Sequence, residues 1–192
     1  MATSRSSIWK YAIIAVVVLA GLWVFSTYNS LVTQRQNVDT AWSLVETQYQ
    51  RRFDLVPNLV NTVKGAADFE QDTLTAITEA RTQWLGAGEN RDAQVAAAEQ
   101  ADSALARLLV TVESYPTLTA TQGYRDLMVQ LEGTENRIAT ERRDYNLTVR
   151  DYNLQVKRFP GNILAGLFGF DEEPGFQSVE GSENAPSVNF DQ

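Results

Sequence analysis

"RDYNLTVRDYNLQV", residues 143–156, states one seven-residue phrase twice over, RDYNLTV and then RDYNLQV. Seven residues make about two turns of α-helix, so like residues return to nearly the same face. The phase continues on both sides. Tyr124, Leu127, Leu131, Glu135, Ile138, Arg142, Tyr145, Val149, Tyr152, Val156 and Phe159 alternate three and four apart. That beat lets one helix lie along others in coiled-coil-like packing. It predicts a helix from Gln122 to Arg158, broken by "FPG" at 159–161.

The same logic applies upstream. Val38, Trp42, Val45, Tyr49, Val56, Leu59, Val63 and Ala66 form one apolar stripe at helical spacing, which predicts a first helix through Tyr28–Ala67. Pro57 lies inside it. Either Asp54 caps a new helix there or the proline kinks a continuous one, and the unbroken phase of the stripe favours the kink. A second helix is expected over Asp68–Leu85, with Asp68 and Gln71 as its capping box and Gly86 and Gly88 as its stop. A third is expected over Arg91–Ser114, ended by Pro116, after which Thr119 and Gln122 cap the last helix. Four amphipathic helices on short links predict an all-α fold, an elongated up-and-down four-helix bundle. Antiparallel packing of the first and last helices sets three register pairs: Arg35 with Asp151, Glu46 with Arg142, and Arg52 with Glu135.

Ahead of the bundle, "IWKYAIIAVVVLAGLWVF" at 8–25 carries Lys10 as its one charge. A span needs about 20 residues of helix, and Trp9, Trp23 and Tyr28 suit the two interfaces. No small-residue cleavage site follows, so a retained transmembrane helix is expected rather than a signal peptide. Arg5 and Lys10 precede the span and only Arg35 follows closely, which predicts a cytoplasmic N-terminus. The chain is thus expected in the bacterial inner membrane as a single-pass protein with its bundle extracytoplasmic. The expected organisation is an N-terminal segment and anchor at 1–27, a helical bundle at 28–158, and an apolar segment with an acidic flexible tail at 159–192.

Composition narrows the function. Among 192 residues there is no His and no Cys, which removes imidazole bases, thiol nucleophiles and most metal-ligand sets. Glu132 and Glu135 lie one turn apart without the His that a di-metal bundle site uses. A net charge of -8 argues against nucleic acid. No enzyme, no cofactor and no metal is expected.

Five blocks then carry a resemblance. "YNSLV" at 28, "VDTAWSLVETQYQRRFDLVPNLVNTVKG" at 38, "VESYPTLTA" at 112, "QLEGTENRIATERRDYNLTVRDYN" at 130 and "FPGNILAGLFGF" at 159 occur in order. Together they resemble the LemA family. The resemblance implies a membrane-anchored helical bundle of up-and-down type, and no reaction or catalytic residues come with it.

Function is therefore sought in surfaces, as a homo-oligomeric scaffold or as an adaptor for another envelope protein. Three candidate contact surfaces stand out. The first is the block with Arg51, Arg52, Pro57, Asn58 and Asn61. The second is the Tyr/Asn ladder, Tyr28-Asn29, Tyr145-Asn146 and Tyr152-Asn153, whose asparagines are poor helix formers and suggest inter-helix or inter-subunit hydrogen bonds. The third is the apolar cluster Ile163, Leu164, Leu167, Phe168 and Phe170, expected to dock on protein rather than lipid because acids follow it and no basic residue does.

Overall fold

The computed structural model describes residues 5–64, 71–88 and 90–176. Six helices occur among them: α1 (Arg5–Lys64), α2 (Gln71–Gly86), α3 (Arg91–Val112), α4 (Pro116–Thr119), α5 (Gln122–Lys157) and α6 (Gly161–Phe168). The fold is all-α, a helical bundle, with no strand among the described residues. The anchor and the first bundle helix form a single helix, α1, because no breaker separates them. Its N-terminal part contains a window of mean hydropathy 2.0 with none of its residues buried. A helix apolar on every side and covered by nothing suits lipid.

α1 passes through Pro57 without ending, so no new helix starts at Asp54. The Asp54 carboxylate instead accepts a hydrogen bond from Gln50 at 3.1 Å. A mid-helix proline costs about 3 kcal/mol, and burial of Phe53, Val56, Leu59, Val60 and Val63 around it offsets that cost. The expected cap at Asp68–Gln71, together with Gly65, Ala66 and the tail from 177 onward, lies outside the described residues. Asn90 caps α3, its side chain accepting from the Ala93 N–H at 3.0 Å. The sequence places the α5 cap at Thr119, but the Thr119 hydroxyl donates to the Pro116 carbonyl and Thr121 accepts from the Tyr124 N–H. The reason is α4: the extra turn after Pro116 moves the cap two residues on.

The chain divides into two compact units. One comprises Ser43–Glu141. Within it α2 packs on α3, whose buried face is largely alanine (Ala97, Ala98, Ala101, Ala104) and so permits close helix approach. The Trp84 ring lies 4.7 Å from Tyr49 and 5.5 Å from Phe53. Arg52, only 3% exposed, pairs with Asp102 of α3 and with Glu135 of α5, the latter at 2.8 Å. The other unit comprises Met1–Trp42 and Arg142–Gln192. Its described core gathers Leu31, Val38 and Trp42 of α1, Tyr145, Val149 and Tyr152 of α5, and Leu164 and Ala165 of α6.

Candidate functional site: a Tyr/Asn ladder that holds the chain's own segment

α6 ends at Gly169, whose φ of 72° is left-handed and therefore suits glycine, and the Phe170 N–H closes on the Ala165 carbonyl at 2.9 Å. The chain then runs along α5 as "DEEPGF", residues 171–176. The repeat on α5 meets it rung by rung. Tyr152 donates to the Asp171 carbonyl at 2.8 Å and Tyr145 to the Pro174 carbonyl at 3.0 Å. Asn153 donates to the Glu173 carbonyl and accepts from the Glu173 N–H, at 2.7 and 2.9 Å. Asn146 does the same with Phe176, at 3.1 and 2.8 Å.

The spacing has a simple cause. Seven helical residues rise about 10.5 Å, and three extended residues span about 10 Å. Each step of seven along α5 therefore meets a step of three along the held segment, from Asp171 to Pro174 for the tyrosines and from Glu173 to Phe176 for the asparagines. The helix and the held segment run in opposite directions. The repeat acts as a ruler for extended backbone, and the asparagine amides stand in for a neighbouring strand. Proline at 174 costs nothing here, since the ladder takes its carbonyl. One turn pair earlier, positions 138 and 139 are Ile and Ala, so the ladder stops at two rungs.

Side chains add selectivity. The Phe176 ring stacks on Trp42 at 5.7 Å, meets Tyr145 edge-on at 5.5 Å, and lies 4.4 Å beneath the Arg142 guanidinium. Glu173 pairs with Arg35 and Glu172 with Lys157. Burial works against the Arg35 charge, but its hydrogen bond to Tyr152 and the Glu173 carboxylate outweigh it and hold the guanidinium above its ordinary value. A Cβ on Gly175 would stand 2.9 Å from Asn146 Oδ1, so any larger residue here displaces the amide that holds Phe176. The six ladder hydrogen bonds are worth about 1 kcal/mol net each. Ordering six residues costs about 1–2 kcal/mol each. Only at the lower end of that range do the hydrogen bonds balance the ordering cost, so the Phe176 ring and the two ion pairs must contribute the rest.

These contacts redraw the expected surfaces. Tyr145, Asn146, Tyr152 and Asn153 serve the chain's own segment, so the ladder's hydrogen bonds are made within one chain. Residues 171–176, expected in a flexible tail, are held. Arg35 does not pair with Asp151: Glu173 reaches it from the held segment, and Asp151 is taken by its neighbour Arg150 at 2.8 Å. Glu46 accepts from Gln94 at 2.9 Å, and the Arg142 guanidinium lies over the Phe176 ring. Arg52 and Glu135 do meet, with Asp102 as an unforeseen third member. Leu164 is buried, and Phe168 and Phe170 rest edge-on against Tyr28 at 4.9 and 5.8 Å, leaving Ile163 and Leu167 outward. Arg51, Pro57, Asn58 and Asn61 are exposed, whereas Arg52 is inside.

Fold and site together define a class: an all-α protein with, among the described residues, one helix long and apolar enough to cross a membrane. The model of the LemA family matches residues 41–190, and the chain belongs to that family. It is similar to magnetosome protein MamQ 1 of Paramagnetospirillum magneticum, 30% identical in a 175-residue alignment that covers 78% of this chain and 64% of that relative. It is also similar to magnetosome protein MamQ of Magnetospirillum gryphiswaldense, 27% identical over 168 residues (74% and 62%). Protein LemA of Metamycoplasma hominis is 25% identical over 152 residues (79% and 69%). The chain thus spans less than two thirds of the MamQ relatives.

Proposed function

We propose that this chain is a non-enzymatic, membrane-anchored helical scaffold that self-assembles into a homo-oligomer at the cell envelope. The anchor lies in the bacterial cytoplasmic membrane, with the N-terminus inside and the bundle outside. One observation carries the reading. Each copy of the α5 repeat spends its Tyr and Asn on the held segment but turns its leucine outward: Leu147 and Leu154 are 44% and 40% exposed. Two apolar residues one heptad apart form a seam for a neighbouring helix. Confinement to one membrane plane raises the effective concentration of copies, so weak contacts add up. The test is the mass of the full chain purified in mild detergent. A discrete multi-copy particle is expected, with Leu147→Lys and Leu154→Lys together reducing it to single copies. A wild-type chain that is monomeric would sink the reading.

That outcome would favour the second reading, a monomeric adaptor for another envelope protein. It rests on the exposed face of α1 formed by Asp54, Pro57, Asn58 and Asn61, three and four apart.

A further inference from the structure

We infer that α6 is an interfacial helix, its exposed row of Ile163 and Leu167, with Phe159 just ahead of the helix, immersed in the lipid surface where α1 leaves the bilayer. Ile163 and Leu167 lie one turn apart on α6 and are 59% and 73% exposed, Phe159 before the helix is 81% exposed, and Leu164 and Ala165 on the opposite side of α6 are buried. An eight-residue helix with one side packed and the other apolar and bare needs a cover.

Position supplies the first argument. The apolar run of α1 closes at Tyr28, and the rings of Phe168 and Phe170 sit against Tyr28. A cleft of about 470 Å³ beside the start of α6 is lined by Trp23, from within the apolar run, and by Arg158 and Phe159. The row therefore lies level with the end of the span and is continuous with it.

Charge supplies the second. Acidic residues after α6 argue against lipid when read as a linear sequence. In the fold Glu173 pairs with Arg35 and Glu172 with Lys157 at 2.7 Å, which leaves Asp171 as the exposed acid next to α6. Arg158 stays exposed next to the row, where it suits a phosphate headgroup.

The anchor supplies the third. α1 already holds the row at the surface, so lipid covers it without a partner having to be recruited.

The chain has no cysteine, so Leu167→Cys in the full-length protein, reconstituted in vesicles, takes a single environment-sensitive fluorophore. Val129→Cys, exposed on α5 and outside the proposed seam, is the control. With phosphatidylcholine carrying a doxyl group near the headgroup, the label at 167 should lose most of its emission, and a doxyl deep in the acyl chain should quench it less. The control should be unaffected by both. Ile163→Cys provides a second position in the row if Leu167→Cys folds poorly. Equal emission with and without doxyl lipid at both row positions overturns the inference. So does disulfide cross-linking between copies at those positions without quenching, which would give the row to a second copy.

Discussion

The side-chain amide of Asn153 exchanges both of its hydrogen bonds with the backbone of Glu173, twenty residues further along the chain. An amide that meets N–H and C=O of one residue behaves as a piece of neighbouring strand. Because Asn146 repeats the arrangement at Phe176, the two asparagines fix the register of the held segment as well as its presence. Recognition through the main chain tolerates side-chain change; recognition at Gly175 and Phe176 does not.

Asn153→Leu removes two hydrogen bonds from Glu173, a loss of about 2 kcal/mol. At 1.4 kcal/mol per tenfold, the Glu173 amide should exchange its hydrogen roughly 20–30 times faster than in the wild type. The α5 amides around it should keep their protection, because the helix loses nothing but a surface amide. Amide hydrogen exchange followed by mass spectrometry reads both quantities in one experiment.

Gly175→Ala tests the close approach. Its Cβ would meet Asn146 Oδ1 at 2.9 Å, so either the amide swings away or the segment lifts. The Phe176 amide should then lose protection about as far as in Asn146→Ala. In the Asn146→Ala background the added methyl has nothing to strike, and Gly175→Ala should do little more. Additive effects in that double-mutant cycle would show that the two positions are not in contact.

The helices are legible in the sequence because their spacing is local. The stripe from Val38 to Val63 and the beat from Tyr124 to Tyr152 are read directly, and these residues are mostly buried. Phe53 and Leu31, which fill the same stripe, are missed only because an arginine or a polar run stands beside them. The partner of the ladder is not legible in the same way. Tyr145 and Asn146 announce a polar requirement, but what they bind returns from 29 and 30 residues away after an intervening helix. The signal was present in numbers: a seven-residue repeat on a helix is commensurate with three residues of extended chain, and "EPGF" supplies a glycine and an aromatic at that step. Arg35 shows the cost of missing it, since a register drawn from helices alone assigns it to Asp151 and overlooks Glu173.

Phe176 anchors the end of the segment between Trp42, Tyr145 and Arg142. Phe176→Ala forfeits about 1.5–3 kcal/mol of ring burial, enough to tip a marginal balance. The expected result is rapid exchange over the whole of 171–176 and faster proteolysis there, without loss of helix content by circular dichroism. Arg142→Gln keeps the ring buried and removes only the cation–π contact, about 0.5–1 kcal/mol. It should loosen the Phe176 amide less than fivefold. A larger effect of Arg142→Gln than of Phe176→Ala would mean that the arginine, not the ring, holds the segment.

Arg52 carries the remaining prediction. Its guanidinium is inside the Ser43–Glu141 unit, hydrogen-bonded to Asp102 and ion-paired with Glu135, acids whose own side chains are 40% and 44% exposed. Removing the cation leaves two carboxylates facing each other, while removing one carboxylate leaves the cation a partner. Breaking a fully buried pair costs about 3–5 kcal/mol, and the exposure of the acids lowers that range to about 2–3 kcal/mol for Arg52→Ala. Glu135→Gln should cost well under half as much. The exchange Arg52→Glu with Glu135→Arg restores a simple pair on paper, but it sets the new carboxylate against Asp102 and should remain destabilised. Adding Asp102→Asn should recover most of the lost stability in urea denaturation of the full chain. Full rescue by the two-residue exchange alone would show that Asp102 takes no part in holding Arg52.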